Sequence, residues 1–203
     1  MCQKCSVNII ARNRWYESSI PVEYWMLSME KFTGPIELKK AYEYTVNNIA
    51  TVYDNGWSMC FAGSPGVGKT TTATNILKRA ALRNYSCLYT TFSDIVSAMI
   101  DAPFEEKYNA RKQLLGSDFL VIDELDNKYM GTSFSADLFG RTLDVVFRGR
   151  SQNRLCTIFI TNSPNIVEAF GGAIKESISS LMGKVKMIVV RGADHRKKAN
   201  NLV

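Results

Sequence analysis

The chain has 203 residues, of which 46% are hydrophobic and 22% charged, which is ordinary for one soluble α/β domain with a short extension. No apolar run is long enough to cross a bilayer, and Lys4, Arg12 and Arg14 interrupt the N-terminal region. We therefore predict a cytosolic protein with no membrane partner and no signal peptide. The net charge of +6 is compatible with nucleic acid as a partner, and equally with a solvated basic surface.

Two cysteines near the N-terminus, Cys2 and Cys5, have the C-x-x-C spacing of metal sites. Structural zinc normally takes four ligands, and no second pair lies nearby in the sequence. We favour a free dithiol, with a truncated zinc module as the alternative. The cysteines at positions 60, 87 and 156 fall in predicted strands and are typical of core residues in a reducing compartment.

Residues 15–35 are rich in aromatic side chains and end in a Gly-Pro pair, which predicts a cap that packs on the main domain. A helical pattern follows over residues 36–54, and Asn55-Gly56 is placed to end that helix. The predicted organisation is an N-terminal extension over residues 1–35 and a main domain over residues 36–203.

The strongest motif is G-x-x-x-x-G-K-[ST], which lies between a predicted buried strand and a predicted helix. Such a loop turns backbone N–H groups towards one point, where the helix N-terminus also favours an anion. We predict a nucleotide site in which Lys69 reaches the β- and γ-phosphates and the Thr70 hydroxyl holds Mg²⁺. The residues predicted to bind the nucleotide are Gly63, Ser64, Pro65, Gly66, Val67, Gly68, Lys69, Thr70 and Thr71. The alternative to a cap that only packs on the main domain is that its residues 29–32 line the pocket for the adenine.

A second motif follows a predicted strand over residues 87–91 and a charged helical stretch over residues 101–115. Four apolar residues, 119–122, run directly into Asp123 and Glu124, which is typical of a central parallel strand that delivers carboxylates to its C-terminal end. Downstream of a phosphate loop, this pattern predicts that Asp123 holds the Mg²⁺ water shell. Glu124 is predicted to orient and deprotonate the attacking water.

The C-terminal third is predicted to hold a helix over residues 135–149 and strands over residues 156–162 and 185–190. The helix ends in cations, Arg148 and Arg150, which are either a solvated basic end or contacts to a neighbouring subunit's nucleotide or to nucleic acid.

The strand over residues 156–162 ends in Asn162. Its side chain is placed to position water beside the γ-phosphate, the alternative being a residue of the turn that follows the strand.

Four stretches together resemble the AAA+ ATPases of the DnaC/IstB type, which are bacterial and phage helicase loaders and ATP-binding helpers of transposases. The stretches are GSPGVGKT at 63–70, FLVIDEL at 119–125, TIFITNSP at 157–164 and GADHR at 192–196. The resemblance implies a P-loop NTPase (AAA+) fold of the α/β class without a sizeable C-terminal lid. Its five-stranded parallel sheet would carry helices on both faces, with the strand of Asn162 between the strands of the other two motifs.

The same resemblance assigns roles. Asn162 looks like the sensor 1 residue and Arg196 like the sensor 2 arginine, so the implied catalytic set is Lys69, Glu124, Asn162 and Arg196 with ATP and Mg²⁺. Residues 93–111 are similar to the region where loaders contact single-stranded DNA. The implied partners are a hexameric replicative helicase or a transposase, and further copies in a homo-oligomer or mixed AAA+ assembly, in a bacterial or phage-infected cytoplasm.

One departure from the family pattern concerns hydrolysis. Loaders carry an arginine finger shortly before the last strand, where this chain has Ser179-Ser180, with Lys175 and Lys184 as the nearest cations. Lysine does not replace arginine at a planar, multidentate site, so hydrolysis is expected to be weak unless Arg148 or Arg150 serves. Three hypotheses stay open: a helicase loader, a transposase helper that binds duplex DNA, and a non-hydrolysing adaptor that antagonises a host loader.

Overall fold

The structure is a computed structural model, and it describes residues 3–126, 144–163, 185–192 and 194. Structural statements refer to these residues, and the side chains of residues 3–8 are not described. Among the helices in these ranges, none is both long enough and apolar enough to span a membrane.

Five strands form one parallel sheet, as predicted. They are β1 (Ser58–Gly63), β2 (Cys87–Thr91), β3 (Phe119–Asp123), β4 (Cys156–Thr161) and β5 (Val185–Val190). Their order is β2-β3-β4-β1-β5, so β4 lies between the strands of the two main motifs. Because every neighbouring pair is parallel, the polar residues that follow β1, β3 and β4 meet at one edge.

Helices cover both faces of this sheet, which confirms the predicted layers. They are α1 (Gln3–Glu17), α2 (Ile36–Asn47), α3 (Ile49–Asp54), α4 (Lys69–Leu82), α5 (Phe92–Val96), α6 (Phe104–Gly116) and α7 (residues 144–152). One buried cluster packs α2, α3 and α4 on the sheet around Phe61 and Ile158. The opposite cluster packs α5, α6 and α7 around Phe92 and Phe159.

One helix prediction needs correction, and one helix was not predicted. The pattern over residues 36–54 predicted one helix, but Asn48 (φ −119°, ψ 32°) leaves the helical region and separates α2 from α3. Its side-chain Nδ2 donates to the carbonyl of Tyr44, and such local hydrogen bonds compete with helix continuation. Helix α1 was not predicted, because its residues lack an apolar stripe at helical spacing.

The aromatic segment packs on α4 and on the edge strand β2, as a cap would. The Lys78 ammonium of α4 donates to the carbonyls of Tyr24, Trp25 and Leu27 at 2.9, 3.3 and 2.6 Å. On the outer edge of β2, the N–H of Tyr89 donates to the carbonyl of Ser18 at 2.8 Å. The boundary at residue 35 between extension and main domain stays a prediction.

Candidate functional site

The glycine-rich loop between β1 and α4 has a backbone that only glycine adopts easily. Gly63, Gly66 and Gly68 have φ values of 138°, 73° and 96°. A side chain would also collide with the Val190 carbonyl at Gly63 and with the ring of Phe32 at Gly68. The loop is thus closely packed on its outer side, while α4 begins at Lys69 and directs its N-terminus into it.

Lys69 lies in the middle of this loop, with only 5% of its surface exposed. Its Nζ donates to the carbonyls of Gly63 and Ser64 at 2.7 Å each. A third hydrogen bond, at 3.1 Å, reaches Oδ1 of Asn162 beyond β4. The structure therefore brings together the predicted phosphate-binding lysine and the predicted sensor residue.

Thr70 and Asp123, the two predicted Mg²⁺ residues, are in direct contact. The Thr70 hydroxyl donates to Asp123 Oδ2 at 2.8 Å, and the backbone N–H of Glu124 donates to Oδ1 at 2.6 Å. Burial raises the pKa of Asp123, while these hydrogen bonds lower it.

This donor set fits Mg²⁺, which prefers hard oxygen ligands and commonly takes one or two carboxylates beside substrate phosphates. Nowhere in the described ranges do three His, Cys, Asp or Glu side chains gather closely enough to hold a metal ion. The side chains of Cys2 and Cys5 lie outside the description, so the choice between dithiol and zinc module stays a prediction.

Glu124 projects from the end of β3 with an exposed side chain and a φ of 53°. A left-handed backbone at a residue other than glycine is uncommon and costs about 1–3 kcal/mol. The backbone just after Glu124 is held by the hydrogen bond from the Leu125 N–H to the Ile160 carbonyl of β4 at 2.9 Å. The buried Asp123 faces Thr70, and the Glu124 side chain is exposed.

Three residues of the site were missed by the sequence analysis. Asp126 accepts from the backbone N–H and the Nδ2 of Asn162, at 3.1 Å each, and so orients its amide. The hydroxyl of Tyr89 donates to Asp123 Oδ2 at 2.9 Å. Tyr24 of the cap lies close enough to Asp123 for the two groups to interact electrostatically, and burial followed by the Glu23 charge raises the pKa of Tyr24 to about 12. Only Asp126 had a signal, as a third acid close behind the first two.

Comparison with known proteins places this site in a family. Residues 59–178 match the model described as ATPase family associated with various cellular activities (AAA). The chain belongs to the AAA family. The matched range contains the glycine-rich loop of this AAA protein, both acids of β3 and Asn162, which confirms the resemblance stated from the sequence.

Relatives of this AAA chain include replicative helicase loaders. The loader DnaC of Escherichia coli (strain K12) is 34% identical over 110 residues, and DnaC of Shigella flexneri matches equally. The alignment covers 52% of this chain and 42% of the loader, so the chain spans less than half of these relatives.

Solved structures show the same AAA fold. DnaI has a TM-score of 0.69 at 17% identity, with 87% of this chain and 94% of DnaI covered. The DnaC helicase loader has a TM-score of 0.65 at 20% identity, with 84% of this chain and 100% of that chain covered. DnaA bound to AMPPCP and single-stranded DNA has a TM-score of 0.65 at 16% identity, covering 86% of this chain and 51% of that one.

The arginines predicted for this AAA site have different outcomes. Arg150 is wrong as an intersubunit or DNA contact, because it is 1% exposed and its guanidinium donates to Thr157 Oγ1 and to the carbonyls of residues 114, 117 and 156. Burial lowers the pKa of Arg150 to about 10. Arg148 is exposed and pairs with Asp144 at 2.6 Å on its own helix. Arg196 and the Ser179-Ser180 pair lie outside the described residues.

The adenine-lining prediction for residues 29–32 is not tested, but one of these residues does reach the loop. The Phe32 ring packs on Gly34 and Gly68, so the cap and the glycine-rich loop are in contact.

Proposed function

We propose that this AAA protein binds ATP with Mg²⁺, hydrolyses it, and acts as a loader of a replicative helicase on single-stranded DNA. The observation that carries the proposal is the convergence of Lys69, Thr70, Asp123 and Asn162 at one sheet edge. The 34% identity to a replicative helicase loader over 110 residues supports the biological role. The expected setting is a bacterial or phage-infected cytoplasm, in a homo-oligomer or a mixed AAA+ assembly.

The proposed mechanism follows from the contacts of the chain's own residues. The loop N–H groups bind the phosphates, and the Lys69 ammonium exchanges its loop carbonyls for phosphate oxygens. Thr70 and Asp123 would hold Mg²⁺, which when bound neutralises charge on the phosphates. Glu124 takes the proton of the attacking water, and Asn162, oriented by Asp126, positions that water. Arg196 is proposed to bind phosphate from the same chain.

A hydrolysis assay tests the enzymatic part of this proposal. Steady-state phosphate release is measured with and without single-stranded DNA, for the wild type and for Glu124→Gln. We expect turnover in the wild type and its loss in the variant, with ATP affinity retained, because the variant removes only the base. Unchanged turnover in Glu124→Gln would contradict the catalytic assignment.

An exposed aromatic and basic stripe on α6 supports the single-stranded DNA part. Phe104 and Tyr108 are 86% and 61% exposed, and Arg111 and Lys112 continue the same side of the helix. Aromatic rings that stack on bases, beside cations that bind the backbone, are the usual elements of single-strand recognition. The stripe overlaps residues 93–111, the stretch that resembles the DNA-binding region of loaders.

Binding measurements at fixed salt test this surface. The double substitution of Phe104 and Tyr108 to alanine should weaken single-stranded DNA binding by about tenfold or more, since each stacked base contributes about 1–3 kcal/mol. Tyr16→Ala is the matched control, because Tyr16 is also an exposed aromatic residue on a helix but lies on α1. Unchanged affinity would contradict the surface, and a preference for duplex DNA would favour the transposase helper.

The loader role itself is tested with a purified hexameric replicative helicase. With ATP present, we expect a stable complex and transfer of the helicase onto single-stranded DNA. The sequence departure at Ser179-Ser180 favours one other candidate, a non-hydrolysing adaptor that joins a host loader's assembly. That candidate predicts ATP binding and complex formation with a host loader, without turnover.

A further inference from the structure

The Asp123 carboxylate receives three hydrogen bonds, and two of them come from groups with no predicted contact to Mg²⁺. The Glu124 N–H binds Oδ1 at 2.6 Å and the Tyr89 hydroxyl binds Oδ2 at 2.9 Å. The third donor, the Thr70 hydroxyl, binds Oδ2 and is itself a predicted metal ligand. One donor fixed on each oxygen sets the plane of a carboxylate, so Tyr89 and the Glu124 N–H together define how Asp123 faces Thr70.

The backbone of Tyr89 is held on both sides, so its hydroxyl has a fixed position beside Asp123. It pairs with Val121 in the parallel register of β2 and β3, two residues before Asp123 on the neighbouring strand. On the opposite side, β2 has no strand neighbour in the described sheet, and the cap supplies the missing acceptor through the Ser18 carbonyl. The ring is partly buried against the cluster that includes α4.

We propose that Tyr89 is a positioning residue, which orients the Asp123 carboxylate for Mg²⁺ and thereby sets how strongly the metal enhances nucleotide binding. The proposal rests on the nucleotide site of the proposed function and deepens it. It predicts that the Tyr89 hydroxyl acts through Asp123 on the metal-dependent part of affinity and leaves metal-free nucleotide binding unchanged.

The experiment compares the nucleotide Kd with Mg²⁺ and with EDTA, for the wild type, Tyr89→Phe and Tyr42→Phe, using a fluorescent ATP analogue and the full chain. The Tyr42 hydroxyl accepts from Arg79 Nε at 3.3 Å away from the site, so its removal is a matched control. In Tyr89→Phe we expect the ratio of the two Kd values to fall about tenfold, the scale of one hydrogen bond to a charged group. The Kd in EDTA and the ratio in Tyr42→Phe should stay as in the wild type.

The outcomes separate this proposal from the proposed function. If Mg²⁺ does not increase the nucleotide affinity of the wild type, both the proposed Mg²⁺ site and the role of Tyr89 are overturned. Enhancement in the wild type that is unchanged, or increased, in Tyr89→Phe would overturn the role of Tyr89 alone. If Kd in EDTA rises by the same factor as Kd with Mg²⁺, the tyrosine is merely structural and the proposal is also overturned. Melting temperatures of all three proteins identify a folding defect.

Discussion

At the scale of single residues, Lys69 is a buried cation that hydrogen bonds within the protein stabilise before any nucleotide binds. A buried ammonium is costly unless hydrogen bonds satisfy it, and here two loop carbonyls and the Asn162 amide oxygen provide them. Phosphate oxygens are stronger acceptors for a cation than neutral carbonyls, so a nucleotide can take over these bonds.

We therefore expect Lys69→Ala to reduce ATP affinity by at least about tenfold, because it removes a hydrogen-bonded cation. Ser64 is exposed, so its carbonyl can turn to water, whereas Gly63 is buried and its carbonyl loses a partner; the melting temperature should therefore fall by a few degrees. Isothermal titration with ATP and a thermal melt measure the two effects. Lys112→Ala, on α6, removes an exposed cation and should leave ATP affinity unaltered; an equal loss there would point to a general charge effect.

At the scale of elements, one side chain of α4, that of Lys78, makes three hydrogen bonds to the cap backbone. Lys78 is buried, and its Nζ lies 5.4 Å from the centroid of the Trp15 ring. The same helix carries Lys69 and Thr70 at its other end. The cap is thus joined to the nucleotide site through α4 and through the ring of Phe32, which packs on Gly68.

Replacing this lysine gives a prediction with a defined pH dependence. Burial, followed by the charge of Arg79, lowers the pKa of Lys78 to about 8. Free lysine titrates near 10.4, so unfolding takes up a proton between about pH 8 and pH 10, and the Lys78 contribution to stability rises with pH across that window. Lys78→Met lacks the titrating amine and leaves cap carbonyls unpaired, so we expect a lower melting temperature than the wild type.

The difference between wild type and Lys78→Met should therefore widen as pH increases from 8 to 10, which a series of thermal melts measures. Lys186→Met is a suitable control, because Lys186 is exposed on β5. A difference that narrows over the same window would contradict the lowered pKa.

At the scale of the whole molecule, the proposed assembly of several copies would let a cation of one copy complete the nucleotide site of its neighbour. With Arg150 buried, Arg148 is the remaining arginine of the two proposed, and its side chain is 68% exposed. An arginine that acts from a neighbouring subunit is worth about a thousandfold or more in turnover and contributes little to binding of the nucleotide.

A mixing experiment tests whether Arg148 acts on the nucleotide of a neighbouring subunit. Arg148→Ala should lose turnover by about a thousandfold while retaining ATP affinity, and Lys69→Ala should lose both. Because each variant keeps what the other lacks, a mixture of the two should regain activity if Arg148 acts in trans. Full turnover in Arg148→Ala alone would exclude Arg148 as the arginine that acts in trans. Wild-type protein that never turns over ATP, with or without single-stranded DNA, would favour the adaptor.

Some residues of the site were predicted from the sequence, and others were found only in the structure. The glycine-rich loop, the β3 acids and Asn162 were found because each lies beside a strand whose apolar run marks it clearly. Tyr89 and Tyr24 were missed because a partly buried tyrosine in a strand or cap has no distinguishing pattern. Asp126 was missed although it is a third acid close behind Asp123 and Glu124. Arg150 was misplaced because a cation at a helix end is usually solvated, whereas here it satisfies carbonyls at the end of α6 and on β4.

The sequence alone determined the loop and the strands, because these follow from local backbone preferences and from apolar runs that must be buried. The five-stranded parallel sheet was implied by the family resemblance. It also determined which residue types stand at the end of each strand. Only the tertiary structure decided which of these side chains meet, because contacts such as Tyr89 with Asp123, or Asn162 with Lys69, depend on strand order and register. The cap's connection to the nucleotide site was decided in the same way, since hydrogen bonds to backbone carbonyls leave no trace in residue type.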